Sequence, residues 1–215
     1  MIDADAINQY LDSDQFTVEL SDPTSTRQIV LNTSSDILSE KDVRIALQHA
    51  TNKQNISDGI FYGLEKPADT LFASTVPYCD IELEPYVYDL ELAGQILDEA
   101  GWKMGSGNVR EKDGQPLNID LLYNSDSVTE KSIAEYLQSE YQSIGVSLNI
   151  HGEEEQSYRD NMKAGNFDMV FNICWGTPYD PQSSLAAMRA PVYGDYAAQL
   201  GLDDKAESMM PLPRS

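Results

Sequence analysis

Leu117-Asn118-Ile119-Asp120-Leu121-Leu122-Tyr123, an amphipathic stretch from about Val128 to Ile144 that stops at Gly145, and Val146-Ser147-Leu148-Asn149-Ile150 together decide the fold class. The outer runs read as strands and the middle as a long helix with a left-handed glycine stop. A strand–helix–strand unit of this length is a right-handed crossover, so its two strands are expected to be parallel. A helix over about 155–164 and a strand over 167–174 repeat the step. The expectation is an α/β fold with a mixed, mostly parallel sheet flanked by helices. Such sheets carry their functional loops at the carboxyl ends of the strands.

Working upstream, Asp89 caps a helix whose Leu92, Ala93, Ile96, Leu97 and Ala100 share one face and whose stop is Gly101. Val109 to Leu117 is a hairpin, with Asp113-Gly114 supplying the two positive-φ positions of its turn. Leu64 to Pro85 reads as a long irregular loop. Before it lie a helix from Lys53 to Tyr62 ending at Gly63 and one carrying Val43, Ala46, Leu47 and Ala50 on one face, with Ser39 and Asp42 as a capping arrangement. Arg27–Leu31 and Phe16–Leu20 alternate as strands around a turn at Ser21-Asp22-Pro23, and Asp3 to Leu11 reads as a short helix.

The 215 residues hold 14 Lys+Arg against 36 Asp+Glu, a formal charge of −22. Binding to nucleic acid or anionic lipid is excluded, because phosphate contacts need clustered cations and the basic residues here are scattered singly. With 41% hydrophobic and 9% aromatic residues the chain is too apolar for an acidic disordered tail. The first residues have no basic or apolar leader character, and no apolar run is long enough to span a membrane. Two readings follow: a cytoplasmic protein, or a piece whose export signal lies elsewhere.

Enzyme signatures are absent: no Gly-x-Gly-x-x-Gly, P-loop, Gly-x-Ser-x-Gly or His-Glu-x-x-His. His49 reads as a helix-surface residue and His151 as a strand end. Glu153-Glu154-Glu155 are explained by the helix dipole, and Asp12-Ser13-Asp14 lacks the rest of a calcium loop. Cys79 and Cys174 match no metal or redox spacing; a buried free thiol is the default for Cys174, with a Cys79–Cys174 bridge as the alternative.

The segment after the last strand is different. Trp175, Tyr179, Arg189, Tyr193 and Tyr196 fall close together, stiffened by Pro178, Pro181 and Pro191. Rings, phenols and an arginine on rigid loops above a sheet suit a pocket for a carboxylate-bearing ligand. Packing of Trp175 beneath a helix over 181–188 is the structural alternative.

Trp175-Gly176-Thr177-Pro178-Tyr179-Asp180-Pro181, followed by Ala187-Met188-Arg189-Ala190-Pro191, resembles the nickel-type branch of the solute-binding proteins of ABC importers. Leu31-Asn32-Thr33, Val43-Arg44-Ile45-Ala46-Leu47, Ala68-Asp69-Thr70-Leu71-Phe72-Ala73, Val76-Pro77-Tyr78, Ala100-Gly101-Trp102 and Arg110 to Leu117 fit the same family in order. The resemblance implies a type II periplasmic-binding-protein fold of two lobes around a cleft. Residues 1–208 would form one lobe, the second, and 209–215 a disordered tail.

It further implies a monomeric, non-enzymatic importer component. Such a protein works in the periplasm or as a cell-surface lipoprotein, captures nickel as a chelate with a small organic ligand such as histidine, and delivers it to a permease. Trp175 and Tyr179 match the family's chelate-contacting aromatics, Arg189 an arginine of the same motif, and Tyr158 a further aromatic contact. Tyr193 stands where the family's nickel binder has a metal-ligating histidine, and a neutral phenol is a poor nickel ligand. No resident cofactor is implied. An oligopeptide cargo is the alternative within the class; an acidic hydrolase using paired carboxylates is the alternative outside it.

Overall fold

The computed structural model describes residues 7, 10, 11, 13–20, 25–72, 76 and 79–173. A four-stranded sheet has the order β1 (Arg27–Leu31), β7 (Met169–Ile173), β5 (Asn118–Asn124), β6 (Ser147–Glu153). β5 pairs parallel with both β6 and β7, while β1 runs antiparallel to β7 with Arg27 opposite Ile173. The expected crossover is α4 (Val128–Ser143), and α5 (Glu155–Ala164) makes the second step. The mixed, mostly parallel sheet anticipated from the alternation of strand and helix patterns is therefore present.

Side-chain alternation divides the sheet into two faces. Ile119 and Leu121 of β5 turn to one side, where Ile133, Ala134, Leu137 and Tyr141 of α4 meet them. The same core takes in Val43, Ala46 and Leu47 of α1 (Lys41–His49) and Ala93 and Leu97 of α3 (Leu90–Glu99). Leu122 and Val170 turn to the other side, under Tyr158 and Met162 of α5. Each fully buried leucine contributes on the order of 2 kcal/mol, so the larger core dominates stability.

Helix boundaries follow local chemistry. Asp89 accepts from the Leu92 N–H at 2.9 Å, as its position before α3 requires. Gly145, at φ 81°, stops α4. A Cβ there would sit 2.8 Å from Arg110 Cγ, so the position needs glycine for space as well as for φ. The hairpin β3 (Arg110–Lys112)–β4 (Gln115–Pro116) turns through Asp113 and Gly114 at φ 52° and 81°, and β2 (Lys103–Met104) extends it to three strands. Arg110 is buried beneath it, donating to the Ile144 carbonyl and to the Trp102 carbonyl at 2.7 Å each and to Asp98 Oδ1 at 2.9 Å.

Three expectations are corrected. Phe16–Leu20 is not a strand: Phe16 and Leu20 are each 58% exposed, and alternation without a partner ladder does not make a sheet. Ser39 does not cap α1, because its hydroxyl donates to the Asp36 carbonyl and the helix starts one residue beyond Glu40. The helix from Lys53 ends at Ile60 (α2), and Tyr62 at φ 54° precedes Gly63 in the exit turn. Ile7, Tyr10 and Leu11 are helical, as anticipated. The turn 21–23, the helix 181–188 and the tail 209–215 lie outside the described residues.

Candidate functional site

Because β5, β6 and β7 are parallel, Asn124, Glu153 and Ile173 end on one edge of the sheet. Antiparallel β1 brings Arg27 to the same edge. The Trp175–Pro181 segment begins two residues after Ile173. Trp175, Tyr179, Arg189 and Tyr193 themselves lie outside the described residues, as does Cys174.

Asn124 organises the described part of the edge. Its N–H donates to Glu130 Oε2 at 2.9 Å, its side-chain amide donates to the Glu155 carboxylate, and its Oδ1 accepts from the Asp126 N–H at 3.0 Å. Glu130 is held in the first turn of α4 because Ser127 caps that helix, its Oγ accepting from the Glu130 N–H at 3.2 Å. Burial pushes the Glu130 carboxyl up; the Asn124 N–H and the Arg27 charge pull it down, and Glu155 raises it again. Glu155 also pairs with Arg159 one turn on.

Arg27 lies with its guanidinium carbon 5.4 Å from the centre of the Phe61 ring and its Nη2 3.3 Å from Glu65 Oε1. Its Nε is buried and has no hydrogen-bond partner among the described residues. Arg27 and Glu130 did not stand out in the sequence, and Glu155 did so only within the acidic run Glu153-Glu154-Glu155; Ser127-x-x-Glu130 carried a readable signal, that of a capping box.

Tyr158 is 8% exposed, packed with Val30, Leu122, Phe167 and Val170, and its hydroxyl donates to the Phe171 carbonyl at 2.6 Å. Burial pushes its phenol well above the ordinary tyrosine range, and Glu130 and Glu155 add to the shift. The structure thus places this predicted contact inside the smaller core, against the strand that leads to Trp175. It does not bring the ring to the exposed edge.

The remaining candidates stand apart. His49 is bonded through Nδ1 to the Val87 carbonyl at 2.7 Å. His151 is exposed and lies 3.3 Å from Asp120 Oδ1, beside a polar cleft of about 470 Å³ that also includes Asn32, Asn161 and Asp168. Cys79 is a buried free thiol raised by burial and by Asp80, the opposite of a reactive thiolate. Among the described residues no group of three or more His, Cys, Asp or Glu could hold a metal ion. No helix of the described residues is long and apolar enough to cross a membrane. What the edge offers is recognition equipment: a stacked guanidinium, fixed amides and carboxylates.

Comparison with known proteins places this edge in context. Residues 1–195 match the family model of bacterial extracellular solute-binding proteins, family 5. The nickel-binding periplasmic protein of Escherichia coli K12 is 39% identical over 206 residues, covering 95% of this chain and 39% of the relative. The structure of NikA from Brucella suis in complex with Fe(III)-EDTA is 43% identical with a TM-score of 0.86, over 96% of this chain and 42% of that one. NikZ from Campylobacter jejuni, in complex with Ni(L-His), is 24% identical with a TM-score of 0.78 over 93% of this chain and 40% of that one, a likeness of fold. The chain spans about two-fifths of the length of these relatives. By the match along nearly its whole length, the chain belongs to the bacterial extracellular solute-binding proteins, family 5.

Proposed function

We propose that this chain is one lobe of the solute-binding component of an ABC importer, and that its cargo is a transition-metal chelate, nickel with a small organic ligand such as histidine. The observation that carries the reading is the 43% identity, across 96% of this chain, to a protein whose structure holds a metal chelate. The family is one of binding proteins, and the role is capture without turnover. Work outside the cytoplasmic membrane, as a monomer delivering cargo to a permease, follows from the same reading.

In this account the sheet edge is one wall of the cleft. Trp175 and Tyr179 stack on the chelate, Tyr193 hydrogen-bonds to it, and Arg189 pairs with a carboxylate. Nickel arrives wrapped by its chelator, which is compatible with a phenol at 193 in place of an imidazole. Tyr158 acts one layer behind, holding the strand from which the aromatic segment departs. The second lobe closes over the cargo by a hinge, and closure tells the transporter that the site is filled.

A hydrolase would need two acids facing each other across a pocket. Glu130 and Glu155 are both bonded to Asn124, and Asp168, on the polar cleft, accepts from the Asp120 N–H, which favours structural roles for these acids. Calorimetry on the complete native protein with nickel and excess L-histidine tests the proposal. Saturable binding at micromolar affinity or tighter is expected. Absence of binding, or strong binding of mixed short peptides that nickel–histidine does not displace, would overturn it. A single wall cannot enclose cargo, so the 215-residue chain alone is expected to bind weakly or not at all.

A further inference from the structure

We propose that Arg27 is a cargo-binding residue, its guanidinium taking a carboxylate of the captured chelate and releasing Glu65 as it does so. The inference rests on the metal-chelate reading above. Strand register puts Arg27 opposite Ile173, at the point where the chain enters the Trp175 segment. The ladder fixes its backbone, and the buried ring of Phe61, 5.4 Å from its guanidinium carbon, backs the group. A guanidinium so positioned presents a planar fork that matches a carboxylate.

The fork is under-used. Among the described residues its ion-pair contact is Glu65 Oε1 at 3.3 Å, long for a charge-assisted bond, and the Glu65 side chain is 49% exposed. Nε is buried without a partner, a state that native proteins seldom leave uncompensated. Glu65 lies on the irregular segment after α2, so its carboxylate can move aside without disturbing a helix. Among the described residues the edge is otherwise acidic, with Glu130, Glu153 and Glu155, so a carboxylate group of the chelator finds its partner in a fixed cation. Among the described cations close by, Arg159 is engaged by Glu155 and Lys131 faces Glu135 at 3.9 Å.

The test compares two probes on the complete native protein: nickel with L-histidine, and nickel with L-histidinamide, which lacks the carboxylate. Arg27→Gln is expected to weaken the histidine chelate about 10- to 100-fold, the loss of a charge-assisted pair. It should leave the histidinamide chelate within about twofold. Glu65→Gln, which removes the competing acid, should bind the histidine chelate at least as tightly as the parent. Arg27→Lys, which keeps the charge and loses the fork, should fall between parent and Arg27→Gln, and it carries the test if Arg27→Gln does not fold. Parent-like binding of the histidine chelate by the Arg27 variants, equal losses for both chelates, or weakening by Glu65→Gln would each overturn the proposal. If the parent protein binds neither chelate, the metal-chelate reading itself has failed, and the role of Arg27 falls with it.

Discussion

Replacing Tyr158 with phenylalanine removes one oxygen and leaves the ring packed against Val30, Leu122, Phe167 and Val170. The oxygen donates to the Phe171 carbonyl at 2.6 Å inside the smaller core. A buried bond of this kind contributes about 1–2 kcal/mol net. With an m value of about 2–3 kcal/mol/M, Tyr158→Phe should lower the urea midpoint by about 0.5 M without changing the slope. The pH dependence gives a second reading. Since the folded phenol titrates above its unfolded value, the stabilisation it provides is complete below the ordinary tyrosine range near pH 10 and is lost as pH rises beyond it. The variant should lack that share of the alkaline decline. Affinity of the complete protein for nickel–histidine should change by less than about twofold, because the hydroxyl is committed to the main chain. A variant with the parent's midpoint and a tenfold loss of affinity would refute this argument and restore Tyr158 as a direct cargo contact.

Tyr141→Phe acts in the larger core. Burial pushes the Tyr141 phenol up to about 12, against a weaker opposing effect of its bond to Thr51. The stability tied to the neutral phenol is fully present below pH 10 and falls by about 3 kcal/mol as pH rises toward 12, so denaturation across that window should be shallower in the variant. Asp98→Asn probes the acid side: the bond from Arg110 holds this half-exposed carboxyl below its usual value, so its contribution is present above about pH 4 and is lost as pH falls through the lowered value. The variant should be less stable at neutral pH by under about 1 kcal/mol and show a weaker acid decline. Gly145→Ala should cost about 2–4 kcal/mol in thermal or urea unfolding, from the left-handed backbone and the collision with Arg110.

Legibility along the chain tracks how local each determinant is. The Asp113-Gly114 turn, the Asp89 cap and the glycine stops at 101 and 145 are decided within a few residues, and all stand where the sequence places them. The parallel pairing of β5 with β6 follows from the length of the crossover between them. Phe16–Leu20 has the period of a strand, but a strand exists only with a neighbour, and no local pattern states whether one is present. Ser39 has the chemistry of a cap, yet Glu40 intervenes, its carboxylate accepting from Lys112 at 2.8 Å and from the Trp102 indole at 3.3 Å. Those partners lie more than sixty positions away in sequence, beyond the reach of any capping rule.

The same distinction governs the proposed site. Its proposed ring-bearing half is one continuous segment of sequence, 175–193, and a continuous segment carries a family motif intact. The described residues proposed to face it, Arg27, Phe61, Glu65, Asn124, Glu130 and Glu155, come from separate strands, helices and a loop. Only the antiparallel return of β1 beside β7 brings Arg27 to the edge, and that pairing joins residues about 140 positions apart. In a chain of formal charge −22, reception of a carboxylate group would depend less on how many cations exist than on where one is held fixed. Sheet topology fixes that position. The affinity of the two Arg27 variants for chelates with and without a carboxylate is therefore a measurement of topology acting as specificity.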